Sequence, residues 1–286
     1  MAGDEMDENR WHIDDLDLDA YLRRVGVEAQ SPSQAALGEL HTAHVRTFPF
    51  ENVDVILRQH PGVELSAVTT KFIDHQRGGY CFEHSTLFAA ALERLGYDVE
   101  RHLGRVGELG VNGRTHMVVV VALDGRRYLC DPGFGMSLLR PIPLEDGAED
   151  DQDGWRYRVR RSDTSAAGAT WQLQRHRDDE WQLMHTTDEL PVHPVDLVMG
   201  HHFTSAHPRS HFTRELTVAR HGLGRHTTFS PAGLTVRVPG QATERHPVEA
   251  ADVPGLLRDH GIELPDDQVQ RLVEMWPAMV AAAEPD

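Results

Sequence analysis

Apolar positions Leu18, Tyr21, Leu22 and Val25 recur at helical spacing, and Gly26 follows as a stop signal. Ser31-Pro32-Ser33 opens a second helix carrying Leu37, Leu40 and His44. That helix gives way to Phe48-Pro49-Phe50, extended or turning because of its proline. A third helix is predicted over 66–76, stopping at Gly78-Gly79. A fourth covers 81–95, with Phe88, Leu92 and Leu95 on one face and Gly96 at its end. The chain up to residue 95 reads as helical.

The pattern then changes. Residues 117–123 form a buried strand, Asp124-Gly125 is a two-residue hairpin turn, and 126–131 return. Trp155-Tyr157-Val159, Trp171-Leu173 and Trp181-Leu183 alternate as strands do, and further short strands fit 215–220 and 234–238. The acidic run 145–153 reads as a solvated loop. The tail returns to helix over 253–260 and 266–276, with Pro265 near the start of the second. Helices, then strands, then a mixed tail indicate an α+β protein, and no internal repeat is present.

A length of 286 residues suggests two domains, or one core with an appendage. The 40% hydrophobic and 26% charged residues are a globular composition. A net charge of −17 argues against nucleic acid and anionic membrane as partners. Lys71 is the single lysine among 28 basic residues, a bias that reads as coding preference rather than function. Two cysteines, Cys81 and Cys130, make no disulfide framework and read as reduced thiols. The first ten residues look like a disordered tag; they are acidic and lack the apolar stretch of a signal peptide. The apolar run 117–123 is far short of the roughly 20 residues of a membrane helix, so a soluble, cytoplasmic protein is expected.

The sharpest chemical feature is Arg77-Gly78-Gly79-Tyr80-Cys81-Phe82-Glu83. Two glycines allow a tight turn and a close backbone approach. The cysteine then starts a helix, where unpaired N–H groups and the macrodipole favour an anionic thiolate. Taken alone, the motif fits a nucleophile and a buried structural cysteine equally well. The hairpin register adds to it. With Asp124-Gly125 as the loop, facing residues have numbers that sum to 249, so Val118 faces Asp131 and Val119 faces Cys130. His116 shares a face with Val118, which makes His116 and Asp131 diagonal neighbours within side-chain reach. A carboxylate there can hold an imidazole in one tautomer and stabilise its cation. Cys130 points to the other face and is the structural cysteine. The order Cys81, His116, Asp131 thus supplies a nucleophile, a base and an orienter.

The chain resembles the arylamine N-acetyltransferase family over residues 16–276. The resemblance is carried by Asp19-Ala20-Tyr21-Leu22, Phe48-Pro49-Phe50-Glu51-Asn52, Arg77-Gly78-Gly79-Tyr80-Cys81-Phe82-Glu83, Thr115-His116-Met117-Val118 and Asp131-Pro132-Gly133-Phe134-Gly135. The segments 204–212 and His260-Gly261-Ile262-Glu263-Leu264 add to it. It implies an N-terminal helical bundle (1–95) carrying Cys81, a central β-barrel (96–195) carrying His116 and Asp131, and a C-terminal α/β lid (196–286), around a cysteine-protease-like core. It implies ping-pong transfer of acetyl from acetyl-CoA, a co-substrate rather than a bound cofactor, to an aromatic amine, hydrazine or N-hydroxyarylamine. Phe50, Thr115, Phe134 and Gly135 then look like substrate-binding cleft residues. Ser85 and His201 stand where members usually carry asparagine, and Pro132 replaces a small apolar residue. These departures bear on substrate choice rather than on reaction class. Glu51 and Arg77 fit either a buried ion pair that fixes the turn before Cys81 or a surface pair.

Other chemistries fit less well. His201, His202, His207 and His211 match no common zinc spacing, so no metal site is expected. A papain- or transglutaminase-like hydrolase shares the catalytic logic but would work without CoA. A non-enzymatic binding module is disfavoured because the triad is complete. An amide synthase that closes a polyketide chain keeps the same triad and is the serious rival. The physiological acceptor, the acyl-chain preference and the oligomeric state are not legible in the sequence.

Overall fold

Asp17 accepts the backbone N–H of Ala20 and starts α1 (Leu18–Val25), which ends at Gly26 with φ 74°. Ser33 caps α2 (Gln34–Thr47) in the same way through Ala36. The structure, a computed structural model, describes residues 11–107, 111–165 and 168–283. The tag expected over the first ten residues lies outside that range. After α2 come β1 (Phe50–Glu51), α3 (Val53–Ile56) and α4 (Leu65–Thr69). The last runs into a π-helical turn, Thr70–Asp74, so the helix expected over 66–76 is shorter and changes its winding midway. α5 (Cys81–Arg94) is buried on every side from Cys81 to Leu92; its second half is apolar, and the polar Glu83, His84 and Ser85 of its first half find partners inside.

Eight strands follow as one antiparallel sheet: β2 (Asp98–Val106), β3 (His116–Leu123), β4 (Arg126–Cys130), β5 (Ile142–Pro143), β6 (Glu149–Gln152), β7 (Trp155–Ser165), β8 (Gly168–Arg177) and β9 (Glu180–Asp188). Their order in space is β5-β4-β3-β2-β9-β8-β7-β6. Asp124 and Gly125 both have positive φ, and the hairpin they close pairs Leu123 with Arg126 and Val119 with Cys130. On one face of β3 and β4, Val119, Val121 and Cys130 pack with Leu87 and Ala91 of α5. On the other, Val118, Val120 and Leu129 share a core with Tyr157 and Val159 of β7 and Leu173 of β8. Strands from the two ends of the sheet meet in one core, so the sheet curls into a nearly closed barrel.

The acidic run 145–153 is not a solvated loop throughout. Residues 149–152 form β6 against β7, and the wholly buried Gln152 bonds the backbone of Leu139 and Arg140. Its charged neighbours belong to an edge strand, where charge blunts pairing with other chains.

The remainder comprises α6 (Pro194–Ala206), β10 (Val218–Gly222), β11 (Arg225–Ser230), β12 (Gly233–Arg237), β13 (Glu244–His246), α7 (Val253–Asp259) and α8 (Asp266–Ala283). The strand expected over 215–220 starts later, and α8 runs past Trp276 through Pro277. β10 to β13 form a second sheet whose edge strand is β1, so the N-terminal segment reaches into it. Leu257, Leu272 and Trp276 of α7 and α8 cover that sheet through Val218 and Phe229. Among the described residues, no helix is long and apolar enough to cross a membrane.

Candidate active site

The turn before Cys81 is pressed against β1. A Cβ on Gly78 would lie 1.8 Å from the carbonyl oxygen of Pro49, and Glu51 donates its N–H to the carbonyl of Gly79 at 2.8 Å. Only glycine permits that approach. Cys81 is the first residue of α5, and Glu83 accepts the N–H of Tyr80 at 3.0 Å, which fixes the helix start on which the thiol sits.

Beneath this turn lies a buried charge network. Lys71 Nζ is 2.8 Å from Asp54, 2.8 Å from Glu83 and 3.6 Å from Glu51. Arg77 clasps Glu51 through Nε at 3.0 Å and Nη2 at 2.6 Å. The pair is therefore buried, which decides between the two readings of Glu51 and Arg77. Burial alone would lower the ammonium's affinity for its proton, but Glu51, Glu83 and Asp54 outweigh it and hold Lys71 charged. An ammonium donates in three directions from one point, whereas a guanidinium is a planar fork. Three carboxylates converging on one cation call for the former. Coding preference explains the arginines elsewhere, but not this lysine.

Cys81 Sγ lies 3.5 Å from the carbonyl oxygen of Thr115, the residue before His116, and is close enough to the His116 ring to raise its pKa. The Nε2 of His116 stands 3.1 and 3.2 Å from the two oxygens of Asp131. Cys81, His116 and Asp131 are thus brought into one line, all of them buried. Burial would push the His116 pKa down, but Asp131 and then Cys81 outweigh it and raise it to about 10. Asp131 is held well below the ordinary carboxylate range; burial opposes this, and His116 and His185 overcome it. Cys130 packs on the opposite face of the hairpin among Val119 and Val121, where burial pushes its thiol up. The set places a thiol beside an imidazole that a carboxylate holds, the arrangement of a cysteine nucleophile with its base.

Cys81 and His116 open onto a cleft of about 1480 Å³ between the barrel, α6 and the second sheet. The expected cleft residues Phe50, Thr115, Phe134 and Gly135 all line it. Phe134 meets the His116 ring edge-on, and the Phe50 ring packs 3.4 Å from where a Cβ on Gly135 would stand. Among the described residues, five arginines line the cleft, Arg105, Arg114, Arg175, Arg209 and Arg237, against one carboxylate, Asp188. Arg114 pairs with Asp188 at 2.7 Å. The wall is cationic in a chain of net charge −17.

Residues 34–269 match the family model described as N-acetyltransferase. The arylamine N-acetyltransferase of Mycolicibacterium smegmatis is 35% identical over 88% of this chain and 94% of its own. The chain belongs to the arylamine N-acetyltransferase family. It is accordingly an acyltransferase. A Salmonella typhimurium relative named arylamine N-acetyltransferase / N-hydroxyarylamine O-acetyltransferase is 33% identical over 84% of this chain and 85% of its own. Among solved structures, the arylamine N-acetyltransferase of Mycobacterium abscessus superposes with a TM-score of 0.89 at 32% identity, covering 94% of this chain and 98% of that one. That of Mycobacterium marinum, solved in complex with CoA, gives 0.81 at 31% identity over 92% and 98%.

Against this arylamine N-acetyltransferase background the departures acquire places. Ser85 Oγ donates to the carbonyl of Met117 at 2.7 Å and ties α5 to β3. His201 does not line the cleft; it faces the Tyr80 hydroxyl and the His60 ring. Neither His201 nor His202, His207 or His211 belongs to a compact donor set among the described residues. The one such set is His116, Asp131 and His185, whose donor atoms lie within 4.8 Å of one another. Its N···O separations of 3.1–3.2 Å are hydrogen bonds, with each nitrogen already committed to Asp131. Two residues of the site had no signal strong enough to find them. Lys71 looked like composition, and His185 lay just past an alternating stretch, 54 residues from the aspartate it binds.

Proposed function

We propose that this chain is an arylamine N-acetyltransferase that carries acetyl from acetyl-CoA, on Cys81 as a thioester, to an aromatic amine, hydrazine or N-hydroxyarylamine. The observation that supports it is the bond of His116 to Asp131 beside Cys81, with Cys81 and His116 both on the wall of one open cleft. The Cys81 thiolate attacks the acetyl carbonyl, the carbon–sulfur bond to CoA breaks, and His116 gives its proton to the departing CoA sulfur. Cys81 is then uncharged, so one of the two groups that raise the His116 pKa is gone, and the imidazole can act as a base. The amine attacks the thioester, its proton passes to His116, and Cys81 leaves as thiolate beside the restored imidazolium.

The cationic wall suits a donor that carries several phosphate charges. Residues 1–95 contribute the nucleophile, 96–195 the base and its orienter, and 196–286 the lid over the cleft; Phe50, Thr115, Phe134 and Gly135 contact the substrates. Two unpaired thiols suit a reducing cytoplasm. Mass spectrometry after incubation with acetyl-CoA, without any amine, tests the reading. An acetyl increment on the peptide holding Cys81, with release of CoA and discharge by an aromatic amine, is expected. An unmodified Cys81 under those conditions overturns it.

A further inference from the structure

Asp131 has a second imidazole partner. His185 Nε2 lies 3.1 Å from Oδ2 of Asp131, and the side chain is wholly buried. The two rings stand 4.8 Å apart with an interplanar angle of 44°, and Phe134 flanks both. The fold aims this side chain deliberately. β8 and β9 pair Leu173 with His185 but Gln174 with Leu183, so Met184 is an extra residue in β9. Bulges of this kind redirect side chains beside active sites. Through the bulge, Met184 and His185 are both buried although they are consecutive. β2 completes the geometry: Gly104 faces His116 and Val106 faces His185, which puts the two histidines on one face.

The hydrogen in the His185–Asp131 bond has one possible source. Asp131 carries no proton, so His185 Nε2–H donates, and Nδ1 is left as a bare lone pair. That nitrogen is buried without a partner among the described residues. We infer that His185 is a positioning residue for the transfer reaction: it holds the second oxygen of Asp131 and, by sharing that carboxylate, limits how firmly His116 keeps its proton. Two donors on one anion each draw charge away from the other. A base that retained its proton too tightly could not accept one from the amine, so a carboxylate serving His116 alone would slow the second half of the cycle. The other titratable groups within electrostatic reach of Asp131 are Cys130, His41 and Tyr157, and all three are neutral at physiological pH. Burial pushes Cys130 and Tyr157 up and brings His41 down to about 4. Burial and the neighbouring His116 charge hold His185 neutral as well, although Asp131 opposes them.

This inference rests on the proposed transfer, and one of its readouts does not. His185→Phe and His185→Gln are compared with the parent enzyme, the glutamine keeping an amide donor near the position of Nε2. In the free enzymes, NMR titration of the His116 imidazole, assigned by its loss in His116→Asn, needs no acetyl transfer. His185→Phe is expected to raise that midpoint by about one pH unit, and His185→Gln to stay near the parent. In turnover, the acidic limb of the rate with an aromatic amine moves up equally, and kcat at pH 7 falls about tenfold with little change in KM for acetyl-CoA. A folded His185→Phe enzyme with unshifted midpoint and limb overturns the inference. A parent enzyme that transfers no acetyl defeats the proposed function, and the titration still decides the role of His185.

Discussion

Lys71 Nζ and Glu83 Oε1 are 2.8 Å apart, both side chains almost wholly buried, and Glu83 in turn accepts the N–H of Tyr80 beside Cys81. The single lysine of the chain is therefore two contacts from Cys81. Lys71→Met leaves Asp54, Glu51 and Glu83 with Arg77 as the one full cation among them. It should cost about 3–5 kcal/mol of unfolding free energy. Lys71→Arg keeps the charge but puts a bulky planar fork where a compact ammonium sits between Asp54 and Glu83, so it should lose activity more than stability. Denaturant melts beside transfer rates check both. A fully active Lys71→Arg enzyme contradicts the role given to the ammonium.

Cys130 faces away from His116, packed among Val119 and Val121. Cys81→Ala and Cys81→Ser should abolish transfer, and Cys130→Ser should keep most of it. Comparable losses in folded variants of both cysteines would refute the assignment of the nucleophile.

Asp131→Asn removes the charge that raises His116 and allows the wrong tautomer. Both half-reactions should fall by roughly three to four orders of magnitude. In the parent enzyme, double-reciprocal plots against acetyl-CoA at several fixed amine concentrations should be parallel, because in the proposed cycle CoA departs before the amine reacts. Converging lines would speak for a ternary complex instead.

Acid should unfold this protein through its buried neutral histidines. Tyr21 OH lies 3.0 Å from His44 Nδ1, His44 Nε2 lies 3.0 Å from His84 Nδ1, and His84 Nε2 donates to the Pro49 carbonyl at 3.2 Å. That carbonyl only accepts, so His84 Nε2 carries a hydrogen; with burial keeping both rings neutral, His84 Nδ1 accepts from His44 Nε2 and His44 Nδ1 accepts from the Tyr21 hydroxyl. Burial brings His41 and His84 down to about 4. The unfolded values are about 6.5, so the unfolded chain binds more protons between pH 6.5 and 4. Stability is complete above pH 6.5 and falls as pH drops through that window, by about 3 kcal/mol for each of the two groups. Urea midpoints at pH 7 and pH 4.5 measure the loss. Equal midpoints would exclude it.

Much of the site was legible in the chain itself. A two-residue loop sets the hairpin register, a strand alternates its side chains, and these two rules alone bring His116 to Asp131 and turn Cys130 away. The glycines before Cys81 announce a backbone contact, though not with which strand. β11 escaped notice because Arg225-His226-Thr227-Thr228-Phe229-Ser230 has too few apolar positions to show a period, and its strand status comes from its partners β10 and β12. β6 was hidden by its charges, which an exposed edge tolerates.

Rules between chain neighbours suffice for the helix starts, the hairpin, the place of Cys81 at the head of α5 and the pairing of His116 with Asp131. What only the tertiary structure decided are the contacts between segments far apart. His185 reaches Asp131 across 54 residues, through a bulge whose position depends on how β8 and β9 meet. Lys71 meets Asp54, Glu51 and Glu83 from three separate elements, and His201 turns to Tyr80 across 121 residues. Local rules bound the conformation of each segment, but the free energy of burying a charge or an imidazole is defined only once the groups around it have been packed.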